Sequence, residues 1–112
     1  MERVHAVGLF GTLTRTHTLL LIHMMRETHA SEIARVLEIS LNQAQRALDS
    51  LEKAGIVIGV QEGNTRRVRL NPRYFYKEEL SDLLSKMAVH EVPLQEKISE
   101  IRRRPRRRGK EI

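Results

Sequence analysis

Asn42, Gln43, Gln45 and Arg46 fall within five consecutive positions, and theirs are the side chains that can read a base edge. An arginine grips O6 and N7 of guanine with two parallel N–H donors, and an asparagine or glutamine pairs with N6 and N7 of adenine. On a helix these residues share one face with Leu41 and Asp49, opposite Ala44 and Leu48. The plain alternative is a solvated helix face, where Gln, Arg and Asp are ordinary. Gln43 has a second possible use, in capping its own helix. Asp49 would meet phosphate badly and is better placed to orient Arg46 or Lys53. Ser40 and Lys53, at the two ends of the stretch, are the candidates there for contact with a phosphate backbone.

A second basic group lies beside Gly63-Asn64: Arg66, Arg67 and Arg69. Strand alternation turns Val68 and Leu70 toward a core and Arg67 and Arg69 toward the open side. Arg66, next to the tip, is freer and can reach phosphate or a narrow minor groove. No acid interrupts the three, which favours contact with a nucleic-acid backbone. Charges that keep an edge strand from pairing with another chain are the competing explanation. The third basic group is the terminal run Arg102, Arg103, Arg104, Arg106, Arg107, Arg108 and Lys110. It can serve as an electrostatic arm on DNA or RNA, as a docking segment for an acidic protein, or as a solubilising end. If all seven side chains met phosphates of duplex DNA, log K would fall with log[salt] by up to about six.

The formal net charge of +6 resides entirely in that terminal run, where six arginines and Lys110 stand against Glu111. Residues 1–100 are balanced, so the high isoelectric point by itself says little about the folded part. With 112 residues the chain is one domain with a modest core, and without cysteine it has no disulfide, thiolate metal site or nucleophilic thiol. Glu2 and His5 interrupt the N-terminus and no small-residue cleavage site follows, so it does not read as a signal peptide. The most apolar run, Leu19–Met25, is too short to span a bilayer. These features suit a soluble, cytoplasmic protein with no membrane partner.

The elements that must position the candidate residues follow from period and caps. Met1–Phe10 suggests a short helix ending near Gly8 or Gly11. Thr12 to Arg26 reads as a helix capped by Thr12 or Thr14, and Leu19 to Met25 makes it apolar nearly all round. Such a helix must be covered on both sides, by the rest of the chain on one and by a neighbouring element or a second subunit on the other. Glu27–Ala30 is a link with room for a single bridge of strand. Ser31 is a good N-cap for a helix carrying Ile33, Ala34 and Leu37 and stopping near Glu38. Ser40 then caps a second helix with Gln43 at capping-box spacing, Ile39 can staple on Ala44, and Gly55 ends it.

Two helices joined by a tight turn, the second polar outward, make a helix-turn-helix. Ile56 to Leu70 changes to strand period around Gly63-Asn64, a β-hairpin closed by Asn71-Pro72. The aromatic trio Tyr74-Phe75-Tyr76 either stacks bases or, the more ordinary use, pins the hairpin to the next helix. From Lys77 onward Leu80, Leu83, Leu84, Met87 and Ala88 mark an amphipathic helix. Val92-Pro93 breaks it, and Leu94, Ile98 and Ile101 mark one more.

SEIARVLEISLNQAQRALDSLEKAGIV followed by a hairpin ending RRVRLNP resembles the small winged helix-turn-helix transcription regulators of the arsenical-repressor (ArsR-like) type, over roughly residues 12–90. The resemblance implies a mainly α chain with a small β-hairpin. It also implies a homodimer whose N- and C-terminal helices form the interface, with the two recognition helices in successive major grooves of double-stranded DNA. On this division residues 1–90 form the winged-helix domain, 91–101 a C-terminal helix and 102–112 the arginine-rich tail. Glu38 stands where such turns carry Gly, which predicts a strained or reshaped corner. The cysteine pairs and Asp/His clusters of metal-sensing members are absent. His5, His17, His23, His29 and His90 are scattered without ligand spacing, so no metal and no cofactor are expected. No acid pair, glycine-rich phosphate loop or serine with a placed base suggests an enzyme. The expectation is a duplex DNA-binding regulator, a dimeric repressor. Its alternative is a protein-interaction or RNA-binding adaptor that uses the tail.

Overall fold

The structure is a computed structural model and describes residues 9–103. Most of the short helix expected within Met1–Phe10 lies outside the described residues, as do Arg104, Arg106, Arg107, Arg108 and Lys110 of the tail. The described part is mainly helical: α1 (Leu13–Met25), α2 (Ala30–Leu37), α3 (Leu41–Lys53), β1 (Val57–Glu62), β2 (Thr65–Leu70), α4 (Lys77–Val89) and α5 (Val92–Arg103).

Helix α1 starts at the expected cap, where Thr12 Oγ1 accepts from the Arg15 amide at 3.1 Å. It runs through the middle of the molecule, against α2 and α3 on one side and α4 and β2 on the other. Leu19, Leu20, Leu21 and Ile22 are completely buried within the single chain. The all-round apolar surface that suggested a second subunit is therefore closed intramolecularly, because the hairpin and α4 come back over the side left by the helix-turn-helix. The apolar residues exposed instead include Phe75, Tyr76, Leu83, Val89 and Val92. Leu83, expected on the buried face of α4, is among them; the core contacts of that helix come from Leu80, Leu84 and Met87.

Helix α2 begins one residue before Ser31. Its N-cap is His29, whose Nδ1 accepts from the Glu32 amide at 3.4 Å, while Thr28 Oγ1 donates to Glu32 Oε1 at 2.7 Å. Tertiary structure sets this start: Thr28 forms an isolated antiparallel bridge with Val68, donating at 3.1 Å and accepting at 2.8 Å. The single bridge of strand anticipated for the link is this one. Pro93 begins no gap: it sits in the first turn of α5, where a helix has no use for its missing N–H.

The hairpin is antiparallel from Val57↔Leu70 to Glu62↔Thr65, leaving Gly63 and Asn64 as a two-residue turn. Gly63 alone takes positive φ, +64°, the sign pattern of a type II′ turn. Asn71 fastens the hairpin base, its Nδ2 donating to Gly55 O at 2.9 Å and its amide to Ile56 O at 2.8 Å.

Candidate nucleic-acid interface

Ser40 and Gln43 form a complete capping box at the start of α3. Ser40 Oγ accepts from the Gln43 amide at 3.0 Å, and Gln43 Oε1 accepts from the Ser40 amide at 3.0 Å. Both groups are thereby committed: Gln43 keeps its Nε2 donors, whereas the Ser40 hydroxyl also donates to Gln43 Oε1 at 3.3 Å. Behind them Ala44, Ala47, Leu48 and Leu51 are buried. Arg15 on α1 donates from Nη1 to Ser50 Oγ at 2.6 Å, tying the middle of α3 to the central helix.

Leu41, Asn42, Gln45, Arg46 and Asp49 are exposed along the outer face of α3. Among the described residues Asn42, Gln45 and Arg46 have no hydrogen bond or ion pair, so their donors and acceptors all point to solvent. Asp49 forms no ion pair with Arg46 or Lys53, contrary to the orienting role expected of it. Lys53 is exposed at the C-terminal end.

Of the two outcomes expected for a corner with Glu38 in place of Gly, strain is the one found. Glu38 sits in the left-handed region at φ 58°, ψ 48°, and its amide donates back to Ala34 O. Lys97 on α5 reaches this corner from the other side, donating to Val36 O at 2.8 Å and pairing with Glu38 Oε2 at 3.1 Å. A cation on the last carbonyls of α2 complements the negative end of that helix. No local pattern marks Lys97, which lies 59 residues beyond Glu38.

The hairpin arginines are held differently from the reading of the strand alone. Arg66 is not free: it shares the inward parity of Val68, lies over Gly59 and pairs with Glu52 on α3. A Cβ on residue 59 would stand 2.6 Å from Glu52 Oε2 and 2.8 Å from Arg66 Nε, so the absence of a side chain there makes room for the pair. Arg67 Nε lies 3.5 Å from Glu27 and 3.9 Å from Glu62. The acids missing from the arginine strand are supplied by α3, the link and β1. Arg69 is exposed at the hairpin base, with no acidic partner among the described residues. Tyr74 packs on the core, whereas Phe75 is 84% and Tyr76 57% exposed, meeting edge to face at 4.8 Å between ring centres. Arg102 donates to Met24 O at 3.0 Å, and Arg103 ends α5 exposed.

No group of three or more His, Asp or Glu side chains among the described residues could hold a metal ion. No helix among them is long and apolar enough to cross a membrane.

No protein-family model matches the sequence, and no curated protein does. Among solved structures the chain is similar to an alanine variant of Lactococcus lactis ZitR, with TM-score 0.57 and 20% sequence identity. The alignment covers 80% of this chain and 59% of that one, so the chain spans about three-fifths of the matched protein. At this identity the likeness is one of fold. The helix-turn-helix, the bridge and the hairpin together are a winged helix.

Proposed function

We propose that the protein is a sequence-specific, duplex DNA-binding transcription regulator that works as a homodimer and represses by occupying its operator. The observation that carries this reading is the outer face of α3. Asn42, Gln45 and Arg46 project unpartnered from the N-terminal half of the second helix of a helix-turn-helix, the half that meets base edges when such a helix enters a major groove. Gln43 adds its remaining amide donors. Ser40, Lys53, Arg66, Arg67 and Arg69 supply contacts to phosphate. The Glu52–Arg66 pair is compatible with this, since a half-exposed ion pair is worth only about 0–1 kcal/mol and a phosphate can take its place. The arginine tail, Arg102 to Lys110, extends the electrostatic contact to either nucleic acid.

For pairing of two copies, expected through the N- and C-terminal helices, the exposed apolar residues include Leu13 on α1, Leu83 and Val89 on α4 and Val92 on α5.

Selection of bound duplexes from a random pool tests the reading, run on the full chain and on a chain ending at Arg103. Recovery of one inverted repeat by both supports a dimeric reader with the tail as an affinity arm. Binding without sequence enrichment, and only with the tail present, removes α3 as the reader and leaves an adaptor that uses its tail.

A further inference from the structure

We propose that the cleft between the C-terminal end of α1, the base of the hairpin and α4 is a binding site for a small amphipathic carboxylate. The cleft has a volume of about 920 Å³, and its lining includes Ile22, Met24, Leu70 and Ala88. That volume lies within the range of small-molecule sites. The polar groups are cations and hydroxyls: Arg26 and Arg69, with Ser81 and Ser85 across from them on α4.

Two facts make this a receptor for an anion. First, neither Arg26 nor Arg69 has an acidic partner among the described residues, unlike Arg66 and Arg67 a few positions away. The one acid on the lining, Glu27, has its carboxylate 3.5 Å from Arg67. Second, the backbone from which the exposed Arg26 side chain springs is fixed. It occupies φ 75° as the residue that ends α1, with its amide donating to Ile22 O at 2.8 Å. A non-glycine residue at positive φ persists only where its surroundings over-determine it. The Thr28–Val68 bridge then fixes the chain at Arg26–Glu27 alongside Arg69–Leu70.

His23 on the same lining is hydrogen-bonded to Ser85 Oγ at 3.1 Å. Burial, with Arg26 beside it, lowers its pKa below the usual histidine value, so it presents a neutral ring rather than a third cation. A planar carboxylate suits two guanidinium groups and the Ser81 hydroxyl, and an apolar body suits the apolar part of the lining. A fully hydrated phosphate would leave that part unused.

The inference does not depend on DNA binding, and its test uses no DNA. The probe is 2-naphthoate, with 2-naphthamide as its uncharged counterpart, titrated into the full chain and followed by naphthyl fluorescence, which no tryptophan obscures. The expected result is saturable binding of naphthoate at least about tenfold tighter than naphthamide. Arg26→Gln and Arg69→Gln should each weaken naphthoate binding by about tenfold with circular dichroism unchanged, and Arg73→Gln, outside the cleft, should not. Methyl shifts should move at Leu70 and Ala88. Absence of saturable binding at about 1 mM ligand overturns the proposal. So does equal affinity for the amide, insensitivity to both arginine variants, or methyl shifts confined to residues outside the cleft.

Discussion

Arg46 projects from α3 with nothing to hold it back, whereas Arg66 is already engaged by Glu52. The two are expected to respond differently. Arg46→Ala should cost about 1–3 kcal/mol of specific binding and relax preference at one base position, read from the sequence logo of selected duplexes. An unchanged logo would remove Arg46 from the readers. Glu52→Gln should instead free Arg66, raise affinity for all duplexes alike and steepen the salt dependence by up to about one contact. Loss of affinity in that variant would mean that the pair positions the wing rather than competing with phosphate. His23 gives a measurement of stability. Its pKa lies below 6.5 in the folded chain because burial and Arg26 disfavour the imidazolium. The unfolded chain therefore binds the proton first as pH falls, and stability declines from about pH 6.5 down to the folded-state midpoint, then levels. Urea unfolding across pH should show that slope in the native protein and less of it in His23→Gln.

At the scale of elements, what was local in the sequence could be read there. The Ser40–Gln43 capping box, the Thr12 cap and the Gly63 turn each depend on residues three or fewer positions apart, and all three are present. Ser31 had the right chemistry for a cap but lost the position to His29, because Thr28 is anchored 40 residues away on Val68. Arg66 was misjudged for the same reason: its partner Glu52 is fixed by where α3 ends, which no strand pattern contains. The outward face of α3 was legible because amphipathicity is periodic; the clamp of Lys97 on the α2–α3 corner was not. That corner can be tested. A left-handed conformation costs a non-glycine residue about 1–2 kcal/mol. Against it stands the exposed Glu38–Lys97 pair, worth about 0–1 kcal/mol. Glu38→Gly should therefore stabilise by up to about 1 kcal/mol in urea unfolding. Lys97→Met should destabilise by about 1 kcal/mol through the lost bond to Val36 O. A destabilised Glu38→Gly would show that the ion pair outweighs the strain.

For the whole molecule the net charge sits at one end, and the exposed apolar residues include Leu83, Val89 and Val92 on α4 and α5 beside Leu13, Leu41 and Val60 elsewhere. Ending the chain at Arg103 removes Arg104, Arg106, Arg107, Arg108 and Lys110. The slope of log K against log[salt] on duplex DNA should fall by up to about four, and an unaltered slope would show that the tail does not touch the backbone. Leu83→Asp should shift sedimentation toward monomer while leaving the circular dichroism intact. A dimer that survives it would place the interface elsewhere. The enclosure of α1 has a consequence for inheritance as well as for assembly. A subunit that closes its own core folds one chain at a time, so refolding should be first order at any concentration, and finished subunits can trade partners without unfolding. In a cell carrying two alleles, and with two copies pairing as proposed, copies with a damaged reading face would fold normally and pair with intact ones. An Arg46→Ala allele is then expected to be dominant, disabling operators in proportion to the mixed pairs it enters.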